Sequence, residues 1–167
     1  MPKKSRYPTY IRGISFCLKE HGVAFTLVEL MLVMFIVGTL GGIAVPVYHR
    51  YIKKARMTKA IVEIYMLQKE ITLYEMDNDD LPNTLNDIGH GNLPDPWGRP
   101  YQYLNFANIK GKGKMRKDRF VVPLNSDYDL YSIGEDGESQ PPLTAKVSHD
   151  DVVRASDGAY IGLASEY

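Results

Sequence analysis

Cysteine is almost missing from this chain. Cys17 is the only one in 167 residues, so no disulfide can form within the chain and any staple must come from elsewhere. An excess of one charge is missing too. Twenty Lys and Arg balance twenty Asp and Glu, which removes any general attraction to nucleic acid or to acidic partners. The four histidines, His21, His49, His90 and His149, are scattered, with no serine or cysteine nucleophile motif around them. No catalytic constellation can be assembled from them. The length leaves no room for a large enzyme and suits one compact domain plus a membrane segment, since domains usually hold roughly 100–150 residues. Finally, Lys, Arg and His are all absent between Phe25 and Val47.

That cation-free stretch is an apolar run from Phe25 to Val45 with a single charge, Glu29. A helix rises about 1.5 Å per residue, so the run spans roughly 31 Å against a hydrocarbon core of about 30 Å. It reads as a membrane-spanning segment. A carboxylate inside such a segment costs about 2.5–3.5 kcal/mol, and no cation within the run offsets it. Nothing inside the chain is expected to satisfy Glu29. A helix N-terminus favours an acid in its first turns, and a cut between Ala24 and Phe25 would add a free amino group there. Residues 1–24 carry Lys3, Lys4, Arg6, Arg12 and Lys19 against Glu20. A secretory signal places its apolar region ahead of the cleavage site; here it follows, so it would stay as an anchor. Orientation is undecided by charge, because Arg50, Lys53, Lys54, Arg56 and Lys59 follow the segment just as five basic residues precede it.

Beyond Pro46, Met57, Ile61, Ile64, Leu67, Ile71 and Tyr74 recur at steps of three or four, which is helix spacing with one buried stripe. Lys59, Glu63, Gln68, Lys69, Glu70 and Glu75 suit the solvated face. The polar run Asp77–Asp80 and Pro82 end the pattern, so one helix is predicted from Phe25 to about residue 77. Gly38, Gly41, Gly42 and Pro46 weaken its first half, glycine by about 1 kcal/mol and proline by about 3. Small residues and proline are also common in membrane helices for packing reasons. Residues 81–101 read as loop. The β-branched and aromatic runs Pro100–Leu104, Arg119–Leu124 and Tyr128–Ile133 read as strands. The predicted fold class is α+β, one long helix packed on a small antiparallel sheet.

Phe25-Thr26-Leu27-Val28-Glu29-Leu30 after a basic leader, with Pro46 downstream, resembles the N-terminus of type IV pilins and type II secretion pseudopilins. Asp95-Pro96-Trp97-Gly98-Arg99-Pro100-Tyr101 and Tyr128-Asp129-Leu130-Tyr131-Ser132-Ile133-Gly134-Glu135-Asp136-Gly137 look like segments of the major pseudopilin of type II secretion. The resemblance implies a leader of residues 1–24 removed by prepilin peptidase at Ala24/Phe25, N-methylation of Phe25 and an assembly role for Glu29. The residue before the cut is usually Gly in that family, and here it is Ala24. It further implies a transmembrane and assembly helix over 25–46 whose Gly38–Pro46 section bends or melts on assembly. Residues 47–167 would then form a periplasmic domain. The implied partners are other copies in a pseudopilus, minor pseudopilins and an inner-membrane assembly platform, with no nucleic acid. A type IV pilus subunit is the nearest alternative. A membrane-tethered binding or catalytic domain is a more distant one.

Three polar features remain. Asp95, Pro96, Trp97 and Gly98 read as a structural turn, with Trp97 an apolar anchor under the loop. Glu135, Asp136, Glu138, Asp150 and Asp151 read from pattern alone as a solvated acidic loop, without helix-loop-helix calcium spacing. The resemblance instead implies a Ca²⁺ site there, held by Asp136, Asp150, Asp151 and the carbonyl of Ile133. A Gly-Gly pair usual in the family after Asp-Gly is replaced by Glu138-Ser139-Gln140-Pro141-Pro142. Lys110, Lys112, Lys114, Arg116, Lys117 and Arg119, spaced by Gly111 and Gly113, read as an exposed basic hairpin loop.

Overall fold

The computed structural model describes residues 25–167; the basic leader and the cleavage position Ala24 lie outside the described residues. One helix, α1, runs from Leu27 to Asn78 over 52 residues and contains Pro46. By internal contacts the chain divides after Ile43, within the glycine- and proline-weakened section. The apolar residues of the first unit, Leu27 to Ile43, are exposed along the whole run. Among the described residues, α1 is the one helix long and apolar enough to cross a membrane, which fits a single-pass membrane protein.

The second unit, Ala44–Tyr167, is built on a four-stranded antiparallel sheet. Its strands are β1 Gln102–Asn105, β2 Tyr128–Ser132, β3 Val152–Ala155 and β4 Tyr160–Leu163, in that spatial order. Gln102 pairs with Tyr131, Ser132 with Val152 and Val153 with Gly162. The α+β architecture is therefore as the sequence predicts, but the strand set differs. The Arg119–Leu124 run is not a strand. Asp118 and Val121 exchange backbone hydrogen bonds of 3.0 and 2.6 Å, closing the segment into a tight turn, with Arg119 at φ 39° and Phe120 fully exposed. Strands β3 and β4 take its place in the sheet.

Two cores flank that sheet. On one face Ala60, Ile64, Leu67 and Ile71 of α1 pack with Leu85, Tyr101, Tyr128, Leu130 and Val152; each large apolar side chain so buried contributes about 1.5–3 kcal/mol. On the other, Leu124, Leu143, Val153, Ala155 and Ala164 form a second cluster with Tyr131 and Tyr160. Because both faces are covered, all four residues of β3 are buried and its sequence shows no apolar–polar alternation.

The helix face read as solvated is partly claimed by the sheet. Glu63 accepts a 2.6 Å hydrogen bond from the Tyr101 hydroxyl, and Gln68 Oε1 accepts one of 3.2 Å from Arg154 Nε. Arg154, buried in β3, also forks onto both carboxylate oxygens of Asp127 at 2.8 Å and lies 4.0 Å over the Tyr128 ring. A planar fork can satisfy several acceptors at once, so Arg154 ties helix to sheet.

Candidate functional site

At the start of α1, Thr26 and Glu29 cap the helix reciprocally. Glu29 N–H donates to Thr26 Oγ1 at 3.2 Å, while Thr26 N–H and its hydroxyl donate to Glu29 Oε2 at 2.9 and 2.8 Å. This is a capping box, threonine before the first turn and glutamate three residues on, which satisfies donors that no earlier turn can accept. The expectation that nothing inside the chain satisfies Glu29 is thus corrected for one of its oxygens. Phe25 is exposed beside it. Added Cβ atoms at Gly38, Gly41 and Gly42 would meet nothing within 4 Å, so within this chain no contact demands glycine there.

In the second unit the loop carrying Asp95, Pro96, Trp97 and Gly98 folds around one buried acid. Asp95 Oδ1 accepts the N–H groups of Trp97 and Arg99 at 3.0 and 2.8 Å, and Oδ2 accepts the Ser132 hydroxyl at 2.6 Å. Gly98 sits at φ 90°, where a side chain is strained. The turn aims Arg99 into the connection between β2 and β3, residues 133–151. There its guanidinium donates to the carbonyls of Gly134 and Glu135 at 2.6 and 3.2 Å.

The same connection holds the acids. Asp150 Oδ2 accepts the N–H groups of Glu135 and Asp136 at 2.7 and 2.9 Å, and Asp136 Oδ1 accepts that of Glu138 at 2.8 Å. Gly134, at φ 66°, passes so close that a Cβ there would lie 2.4 Å from the Asp150 carbonyl oxygen. Asp151 is fully buried and turned elsewhere: its Oδ2 accepts Arg116 at 2.6 Å and the Ser139 hydroxyl at 2.6 Å. Burial pushes the Asp151 carboxyl up, with Arg116 pulling the other way.

Arg116 is the residue the sequence misplaced. Read as part of an exposed basic run, it is 2% exposed and lies 4.4 Å over the Tyr131 ring. Its Nη1 donates to Ser139 Oγ and the Gln140 carbonyl at 2.5 and 2.8 Å, and its backbone N–H to Asp129 Oδ2 at 2.6 Å. No local signal marked it: it is a charge among charges, and its partner Asp151 lies 35 positions away.

No family model matches the chain, and no solved structure matches it significantly. Curated relatives do. It is 30% identical over 142 residues to the type II secretion system core protein G of Aeromonas hydrophila, covering 72% of this chain and 88% of that protein. It is 31% identical over 135 residues to core protein G of Pseudomonas aeruginosa, covering 68% and 84%. The chain belongs to the type II secretion core protein G family. A fimbrial protein of Neisseria meningitidis is 31% identical over 84 residues, but that match covers 50% of this chain and 49% of the fimbrial protein.

For a core protein G relative, the calcium expectation bears on the connection between β2 and β3. Among the described residues, no group of three or more His, Cys, Asp or Glu is placed to hold a metal ion. Backbone N–H groups already point at Asp150 Oδ2 and Asp136 Oδ1, and a guanidinium at Asp151 Oδ2.

Proposed function

We propose that this chain is a non-enzymatic structural subunit of a type II secretion pseudopilus. The observation that carries the reading is that it spans 88% of a core protein G while pairing an exposed apolar helix with an α+β domain. In this reading residues 1–24 are a cytoplasmic leader removed between Ala24 and Phe25, Phe25 is N-methylated, and 25–46 anchor the subunit in the inner membrane. Residues 47–167 lie in the periplasm. Subunits leave the membrane through an assembly platform, meet minor pseudopilins and stack head to tail. Such a heterologous contact need not close, so it grows into an open filament. In the stack, the Phe25 amine of one subunit pairs with Glu29 of its neighbour, supplying the cation that the segment lacks. The section from Gly38 to Pro46, low in helix propensity, is where α1 yields on assembly.

A type IV pilus subunit is the second reading, and the fimbrial match favours it. That match covers half of each chain, against 88% of core protein G, so the secretion reading stands first.

Mass spectrometry of the protein purified from membranes tests the processing step. The expected chain begins at N-methyl-Phe25. Recovery of a chain that retains residues 1–24 under native peptidase would remove the amine on which the pairing depends.

A further inference from the structure

We propose that Arg116, with Arg99, is the built-in cation of the connection between β2 and β3, so that this subunit holds its C-terminal fold without calcium. A divalent cation in this loop would need carboxylate and carbonyl oxygens, six to eight of them. Several of the loop's oxygens already accept hydrogen bonds. The Gly134 and Glu135 carbonyls accept Arg99, the Gln140 carbonyl accepts Arg116, and Asp151 Oδ2 accepts Arg116 and Ser139. Asp150 Oδ2 faces two backbone N–H groups. Donor hydrogens aimed at these oxygens repel a cation that approaches from the same side.

The remaining oxygen of Asp151, Oδ1, is buried without a hydrogen-bond partner, as is Nε of Arg116. These leftover groups belong to one ion pair, acceptor on the acid and donor on the base. A dication reaching Oδ1 would sit beside a buried guanidinium, where like charges interact strongly. Arg116 instead neutralises Asp151 and crosslinks three points of the connection, at Ser139, Gln140 and Asp151. It does this from a segment 35 residues from Asp151 in sequence, which is how a metal staple works in a small domain.

The test uses the full mature chain in detergent. Thermal unfolding is followed with excess calcium and with chelator, and trypsin cleavage after Lys146, exposed within the connection, is timed under both conditions. The expected result is one midpoint and one cleavage rate for the wild type. Arg116→Gln and Arg116→Lys should each lower the midpoint in chelator, Gln by roughly 10 °C or more because a buried acid loses its partner, and speed cleavage after Lys146. Should Arg116→Gln fail to fold, the wild-type comparison and Arg116→Lys decide. A wild-type midpoint that rises with calcium, or Arg116 variants as stable and protease-resistant as the wild type, would overturn the proposal. Neither measurement depends on filament assembly, so failure here leaves the pseudopilus reading standing.

Discussion

On the proposed reading Glu29 carries two roles on one carboxylate, and substitution can separate them. Oε2 closes the capping box with Thr26, a local contact, whereas the pairing proposed for assembly uses its negative charge. Glu29→Gln retains a side chain that closes a capping box but removes the charge; Thr26→Ala does the reverse. The expected outcome is that Glu29→Gln, like Glu29→Ala or Glu29→Lys, stays in the membrane fraction and forms no filaments, while Thr26→Ala still assembles. Electron microscopy of sheared filaments beside membrane fractionation reads both. Normal filaments from Glu29→Gln would sink the charge pairing and leave capping as the role of Glu29. The sequence showed this acid plainly, because one charge in an apolar run stands out. It did not show Arg116, because a charge among charges looks solvated and the partner that buries it is 35 positions away.

At the scale of elements, legibility followed local pattern. Helix α1 was readable because Ile64, Leu67 and Ile71 keep helical spacing through a single buried face, and β1 and β2 because their tyrosines and leucines cluster between turns. Strands β3 and β4 were not: each has four residues, one holds Arg154 and the other Gly162, and packing on both faces replaces the alternation that marks a strand. The tyrosines that join these elements give a pH prediction. Tyr101, Tyr103 and Tyr128 lie between α1 and the sheet, and burial raises each phenol, Tyr128 from 10.0 to about 12. The folded state therefore keeps these protons after the unfolded chain has begun to lose them. Their contribution to stability is full below about pH 10 and declines as pH rises from there toward the folded values. Alkaline titration should show phenolate absorbance in two stages, exposed tyrosines first and the rest only as far-ultraviolet circular dichroism is lost. Complete ionisation with the fold intact would show that these three rings are not sealed.

At the scale of the whole molecule, the two units divide the work that the sequence assigns to one chain. Among the described residues every core residue lies between Ala60 and Ala164, and so do the networks of Asp95, Arg116 and Arg154. The apolar residues from Phe25 to Ile43 are exposed throughout, so they add to neither core. It follows that a chain starting at Ala44 has all the burial it needs to fold alone. About 120 residues with a two-faced sheet is an ordinary domain size. The expected behaviour is a soluble monomer that unfolds cooperatively, with a thermal midpoint within a few degrees of the full chain in detergent. It should neither enter membranes nor join filaments. Sedimentation and circular dichroism of that fragment check the claim, and an insoluble or non-cooperatively melting fragment would mean that residues ahead of Ala44 complete the domain rather than only tether it.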